Sequence, residues 1–390
     1  MKRINKILNI LDMPMGTGKT TGIINYIKEN KNKKYIFVSP YLKQPELFKS
    51  LKFNTPSDDT TKLSSLKLLI NKNENIYITH TLFSMFDNRI INELENKTYT
   101  LIIDESINLL TYIPISKDDI NILIKSDYIS IDNENKVKFK KYTGDFKQLK
   151  KMADNDSLYF INNLFIFKYR VEIFNLFESI FILTYLFRGS NMKAYFDMYN
   201  FEYRYYKVIT DYKIVEGIYD DYNFRMQTKE LVNLYDGKLN DIGEDTYALS
   251  KKWFNARKRK AEHIKLKNNL YNYFRHIINS KSDENMYSVF SDFEHKYKGD
   301  RYSKGFVPCN CIATNEYRHK STLAYALNIF INPNIVNMFS HYGSNINKDD
   351  YALCQLIQWI YRSRIRDNQS INLYLPSKRM RNILISYLEK

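Results

Sequence analysis

The chain has 390 residues, with 59 Lys and Arg against 43 Asp and Glu, and a formal net charge of +16. That length accommodates two domains of ordinary size. Cys309, Cys311 and Cys354 are too few for a disulfide framework or a four-ligand zinc or iron–sulfur site. No stretch approaches about eighteen uncharged apolar residues, which excludes a helical membrane span and a membrane partner of that kind. The N-terminus runs directly into a glycine-rich loop and reads as leaving no room for a signal peptide, so a cytoplasmic location is expected. The charge points to a polyanionic partner, although abundant Lys, Asn, Ile and Tyr also read as the product of an AT-rich genome.

The first element is the apolar run ILNILDM (residues 7–13), read as a buried strand. It leads into MPMGTGKT (13–20), after which TTGIINYI (20–27) has helical apolar spacing. A strand, a glycine-rich loop and a helix in that order form a phosphate-binding loop. Gly16 and Gly18 permit positive φ and close backbone approach, so the backbone of Pro14, Met15, Gly16, Thr17, Gly18, Lys19, Thr20 and Thr21 is expected to wrap a phosphate chain, with N–H groups donated by all of these but Pro14. Lys19 is expected to reach the β- and γ-phosphates of ATP, and the Thr20 hydroxyl to ligate Mg2+. Met13 stands where the general motif has its first glycine, and Pro14 is expected to set the turn instead.

Further strands are read at KYIFVSP (34–40), NIYITH (75–80) and YTLIIDE (99–105), alternating with helical patterns as in an α/β domain with a mostly parallel sheet. Asp104 and Glu105 end the last of these. Asp104 is expected to hold the Mg2+ water shell and Glu105 to orient and deprotonate an attacking water. Residues 112–170 interrupt the alternation with a hairpin turning at NEN and the helix KQLKKMADN, and are read as an insertion. SIFILTYLF (179–187) resumes the sheet, giving a first domain over 1–200 and a second over 201–390.

In the second half, YRYYKVITDYKIVEGIY (203–219) reads as extended and YDGKLNDIGEDTY (235–247) as a loop. SKKWFNARKRKAEHIKLKNN (250–269) reads as a helix carrying Lys251, Lys252, Arg257, Lys258, Arg259, Lys260, Lys265 and Lys267. Two readings stand for its Trp253 and Phe254: they stack on bases between phosphate-binding cations, or they form the buried edge of a solvated helix. NMYSVF reads as a strand, TLAYALNIFINP (322–333) as an apolar helix stopped by Pro333, and SINLYLP as a strand closed by Pro376. DYALCQLIQWIYRSRIRDN (350–368) reads as one helical segment bearing Gln358, Arg362, Arg364 and Arg366, whose guanidiniums suit a γ-phosphate.

These motifs together resemble superfamily 2 helicases of the DEAD/DEAH-like kind. MPMGTGKT is similar to the helicase form of the phosphate loop, FVSPY (37–41) to the motif after it, ITHTLF (78–83) to a Thr-His segment of viral and phage members, and IIDES (102–106) to the D-E box. ILTYLF (182–187) occupies the place of the motif whose threonine, here Thr184, links ATP state to domain closure. QWIYRSRIR (358–366) resembles the arginine-finger motif with Gln358 and Arg362 in place, and Arg364 or Arg366 beside an Ile365 at the expected second arginine. ATNEYRHK (313–320) falls in the region of a nucleic-acid motif, with Thr314, Asn315 and Arg318. The flavour is closest to phage replication helicases and herpesvirus origin-binding helicases.

The resemblance implies two RecA-like P-loop NTPase domains in tandem, with an insertion in the first. It implies ATP and Mg2+ as cofactors, DNA as partner (single-stranded or forked, with RNA open), and possible replication proteins. Thr79 and His80 are then coupling or nucleic-acid residues, with core packing the alternative for His80. The implied activity is ATP-driven translocation with unwinding. The alternatives are a duplex DNA translocase, a packaging or remodelling ATPase, and an ATP-switched origin-binding or loader protein.

Overall fold

The computed structural model describes all of the chain other than residues 1–5, 42–47, 49, 60, 141, 143 and 312–315. Two compact units result. One comprises the chain up to Met13, Gly18–Tyr219 and Asn332–Ile346; the other comprises Pro14–Thr17, Asp220–Ile331 and Asn347–Lys390. The fold is α/β, with RecA-like units in tandem along the chain, each built on a mostly parallel sheet flanked by helices.

The first unit is organised by strands β1 (Ile7–Asp12), β2 (Lys34–Ser39), β3 (Phe53–Asn54), β4 (Asn75–Thr79) and β5 (Tyr99–Asp104). An insertion follows, with β6 (Leu110–Ile113), β7 (Ile129–Ile131), β8 (Val137–Phe139), β9 (Leu158–Ile161) and β10 (Leu164–Lys168). The main sheet then resumes with β11 (Phe177–Thr184), β12 (Glu202–Val208) and β13 (Ile214–Glu216), and has the order β13-β12-β1-β11-β5-β2-β4-β3. All pairings are parallel except that of β13, which folds back along β12 at the edge. The central strands are buried along nearly their whole length because helices cover both faces, which is why they read as unbroken apolar runs. Helix α1 (Lys19–Glu29) packs Ile23, Ile24 and Ile27 against Leu11, Phe37 and Phe181 of the sheet.

The insertion has its own small core around Leu123, Leu149, Leu158 and Phe165, between the sheet β6-β10-β9 and the hairpin β7–β8. The hairpin turns where expected. Asp132 accepts hydrogen bonds from the amides of Glu134 and Lys136, each at 2.9 Å, and Asn135 takes the left-handed conformation at φ 64°.

The second unit is built on β14 (Val232–Leu234), β15 (Asn285–Ser288), β16 (Thr322–Tyr325) and β17 (Ile371–Tyr374), all parallel in the order β14-β17-β16-β15. Two expectations are corrected here. The run TLAYALNIFINP opens as β16 over Thr322–Tyr325 and continues without regular structure to Asn332, and is not a helix, because a short stretch apolar on every side satisfies a doubly covered strand as well as a buried helix. Pro333 does not stop a helix; it begins one (Pro333–His341), sitting in the first turn where its missing amide costs nothing, after an Asn332 cap on the Asn334 amide. Among the described residues no helix is long and apolar enough to cross a membrane.

Trp359 is the largest fully buried side chain, and its indole N–H donates to the Val307 carbonyl at 3.0 Å. Trp359→Ala is expected to cost about 3–5 kcal/mol, read as a lowered denaturant midpoint in chemical unfolding.

Candidate nucleotide site at the carboxyl edge of the first sheet

Parallel strands in a common register deliver their last residues to one edge. Asp12 of β1 lies opposite Thr184 of β11, Asp104 of β5 opposite Leu183, and Ser39 of β2 opposite Thr79 of β4. That edge is where the loops of an open parallel sheet bind ligands. The strand β11 holds the two key loops directly. Its Thr184 carbonyl accepts the Met13 amide at 3.0 Å, and its Leu183 carbonyl accepts the Glu105 amide at 2.8 Å. The start of the glycine loop and the acidic pair are thus anchored to two consecutive carbonyls of one strand.

Met13 explains the absent first glycine. Its side chain is buried, and its sulfur receives the Val208 amide at 3.2 Å, so the position ties β12 to the loop instead of serving as a hinge. The freedom is supplied further on, by Gly16 at φ 82° and Gly18 at φ 84°. A Cβ on Gly18 would lie 2.7 Å from the Tyr212 ring, so that position is excluded to other residues sterically as well as conformationally. Gly18 caps α1 without a side-chain hydrogen bond, leaving the first-turn amides of the helix to a ligand. Thr17 donates from its hydroxyl to the Pro14 carbonyl at 2.8 Å, which tightens the loop. Pro14, Met15, Thr20 and Thr21 complete the loop and the first turn of α1, and Lys19, the first residue of α1, donates from Nζ to the Met13 carbonyl at 2.6 Å.

Asp104 is pushed up to about 7 by burial first and by the neighbouring Glu105 charge second, with Lys19 opposing. Glu105 takes a left-handed backbone at φ 64°, which costs a non-glycine residue on the order of 1 kcal/mol and turns the chain sharply at the strand end. His80 starts a short helix after Thr79, whose hydroxyl caps it by accepting the Leu82 amide at 3.1 Å. The imidazole donates from Nε2 to the Asp104 carbonyl at 2.8 Å, and burial lowers its pKa to about 4, so it is a neutral clamp joining the ends of β4 and β5. Thr184 is buried at the end of β11.

Asp12 is a site residue that pattern reading passes over. Its Oδ2 accepts the Phe187 amide at 3.2 Å, from the turn that follows β11, while Oδ1 is buried and finds no hydrogen-bond partner among the described residues. Burial raises its pKa to about 6 against the opposing pull of the Phe187 and Leu186 amides, Lys19 and Arg188. The signal was present as a lone carboxylate closing a mostly apolar strand, one residue before the motif begins. A cluster with these properties suits a hard cation. Asp12 and Asp104 end strands on either side of β11, Asp12 with an orphaned oxygen, and Thr20 lies in the first turn of α1; among the described residues no group of three or more His, Cys, Asp or Glu side chains is gathered to hold a metal. That is the donor set expected for Mg2+, which keeps its waters and leans on phosphate oxygens.

The other candidate residues belong to the second unit. The segment 350–368 is not one helix. It runs as a helix over Lys348–Ile360 and resumes as a short 3-10 turn over Arg364–Asp367, because the Ser363 hydroxyl donates back to the Ile360 carbonyl and Lys320 captures the Arg364 amide. Gln358 is half-buried on the helix, its amide donating to the Cys354 sulfur at 3.4 Å. Arg362 is only 5% exposed, Arg364 donates from Nε to the Ser370 carbonyl at 2.6 Å, and Arg366 is half-buried. Arg318 pairs with Asp367. Thr314 and Asn315 lie outside the described residues.

The aromatic reading of 250–269 is also corrected. Trp253 is 5% and Phe254 2% exposed, both within the core of the second unit, so neither ring is available to stack on a base. The segment breaks into helices over Lys251–Asn255 and Lys260–Asn272.

Two carboxyls, on residues half-buried overall but with pKa values raised by desolvation, set a pH dependence. The folded chain holds protons on Asp12 and Asp104 between pH 3.8, the ordinary value, and about 6 and 7, where the unfolded chain has released them. Stability therefore falls as pH rises through that window. Asp12→Asn, which keeps an acceptor for the Phe187 amide, is expected to raise the thermal midpoint at pH 8 and to leave it unchanged near pH 4. Equal shifts at both values would contradict this electrostatic account.

Residues 226–388 match the family model of the YonV C-terminal Rossmann-like domain, and residues 110–168 that of the YonV middle domain. The SPbeta prophage-derived protein YonV of Bacillus subtilis (strain 168) is 37% identical over 406 aligned positions that cover 98% of each chain. Among solved structures, an XPD helicase aligns with a TM-score of 0.47 at 12% identity, over 98% of this chain and 94% of that one. Xpd4 of S. tokodaii aligns with 0.49 at 13%, over the same shares. The DUF1998 helicase MrfA bound to DNA and AMPPNP aligns with 0.36 at 10%, over 99% of this chain and 48% of that one. Near-complete coverage at more than a third identity, with both domain models in place, makes this chain a member of the YonV family.

Proposed function

We propose that the chain is an ATP-dependent nucleic-acid motor that binds ATP and Mg2+ at the carboxyl edge of its first sheet and uses hydrolysis to translocate on and unwind DNA. The observation that carries the reading is the anchoring of a Gly-Lys-Thr loop and an Asp-Glu pair to consecutive carbonyls of β11. This spacing is what phosphoryl transfer requires of a protein that supplies position and charge and little covalent chemistry.

In this mechanism the Lys19 ammonium leaves the Met13 carbonyl for the β- and γ-phosphate oxygens, drawn by the greater charge. Thr20 and Asp104 would hold the Mg2+, which would supply positive charge against the phosphates. Glu105 accepts a proton from water as the water oxygen bonds to the γ-phosphorus and the bond to the β-phosphate oxygen breaks; ADP leaves with that electron pair. Gln358, Arg362, Arg364 and Arg366 supply the finger and sensor groups, and Thr79, His80 and Thr184 couple the phosphate state to the sheet edge. Thr314 and Asn315 take a nucleic-acid role. The net charge of +16 supports a polyanionic track. The prophage origin in the name of the B. subtilis relative supports a setting in phage DNA replication, alongside replication proteins.

The decisive measurement is the ATPase rate without polymer and with single-stranded DNA, duplex DNA and RNA, each at two salt concentrations. Polymer-stimulated turnover is expected, with Glu105→Gln lowering kcat by about 10²–10⁴ at little change in KM. A strand-displacement assay separates unwinding from movement on intact duplex. Persistence of stimulated hydrolysis in Lys19→Ala would defeat the proposal.

A further inference from the structure

The second unit carries a cationic elbow that the packing leaves unneutralised. The helices Lys251–Asn255 and Lys260–Asn272 are joined by a bend at Ala256 and Arg259, both non-helical in backbone conformation. The bend is held from beneath. Trp253 and Phe254 are in the core, the His263 ring packs on both, and the Arg259 guanidinium lies 5.8 Å from the Trp253 ring centre. On the outside stand Lys252, Arg257, Lys258, Lys260 and Lys265, all exposed. None of these five side chains has an ion pair or hydrogen bond among the described residues. The nearby acids are already engaged, Asp292 with Lys251 and Glu262 with Arg259.

The comparison within the same unit decides what this means. The tail cluster Lys378, Arg379 and Arg381 looks equally basic in sequence, yet it is consumed by Glu244 and Asp349, with separations of 2.9, 2.7 and 2.7 Å. One cluster is structural glue; the other leaves five like charges on a rigid bend with nothing to offset their repulsion. Such a surface is stabilised by a polyanion whose charges repeat at a short interval. With both neighbouring rings buried, it has no aromatic face on which a base can stack, and flexible exposed cations favour the repeating phosphates over any one base.

We propose that the elbow over residues 252–265 is the backbone grip of the motor: a surface that binds the phosphodiester chain of nucleic acid by counterion release alone, without base contacts. This rests on the nucleic-acid reading above, but makes a separate quantitative claim. Single-strand binding loses affinity with salt at a slope of about 0.7 per phosphate neutralised. The test measures the affinity of the full-length chain for dT and dA oligonucleotides and for an RNA oligomer by fluorescence anisotropy, across a salt series. The compared variant carries Lys252→Gln, Arg257→Gln, Lys258→Gln, Lys260→Gln and Lys265→Gln. The wild-type chain is expected to bind dT and dA alike, and the variant to lose about 2 to 3.5 from its salt slope. Its polymer-free ATPase and thermal midpoint stay at the wild-type level. A control replacing the exposed Lys28, Lys31, Lys52, Lys72 and Lys213 of the first unit by Gln keeps the slope. An unchanged slope in the elbow variant, or a marked preference for one base, overturns the grip while leaving the motor standing. Absence of binding by the wild type overturns both. Failure of Lys19→Ala to abolish hydrolysis, with the slope lost as expected, removes the motor and keeps the grip.

Discussion

The pair of hydrogen bonds that β11 gives at its end is the constraint on which the candidate site depends. Two carbonyls one residue apart receive the amides of Met13 and Glu105, so the glycine loop and the acidic turn cannot drift relative to each other without breaking a buried sheet edge. A parallel sheet is a suitable mount for such a pair, because at this edge β1, β11 and β5 run in continuous register up to their last residues. His80 reinforces the same edge from the β4 side, and Asp12 from the turn after β11.

The edge is costly to the folded chain. It holds carboxyls away from water, an acidic residue in a left-handed backbone, and glycines where any other residue would strain. None of these features improves packing. Costs of this kind gather where a ligand is to be received, since charge and backbone amides that are satisfied internally have nothing left to offer. The remainder of the first unit offsets them with a core in which the central strands are buried almost end to end.

The second unit separates its two uses of aromatic and cationic residues. Tyr273, Tyr374, Trp253 and Phe254 pack around one cluster in its interior. Among its cations, Lys378, Arg379 and Arg381 are paired with carboxylates, whereas Lys252, Arg257, Lys258, Lys260 and Lys265 stand exposed on the elbow. Sequence adjacency mixed these populations, and only burial and pairing sort them.

Much was legible in the chain itself. Glycines at the two positions that need positive φ, a lysine and threonine after them, and an Asp-Glu pair closing an apolar run all follow from local chemistry that does not depend on distant residues, and so do the hairpin turn at NEN and the strand β11. What the sequence could not determine were the decisions that rest on neighbours far along the chain. Whether TLAYAL became strand or helix depended on the strands waiting on either side of it. Whether 350–368 stayed one helix depended on a carbonyl from Lys320, and whether Trp253 faced solvent depended on the core beneath it. Asp12 acquired its role because a turn some 175 residues later brought an amide to it. Local propensity specifies what a segment can be; the free energy of burial and hydrogen-bond completion, summed over partners that only the tertiary structure assembles, selects what it is.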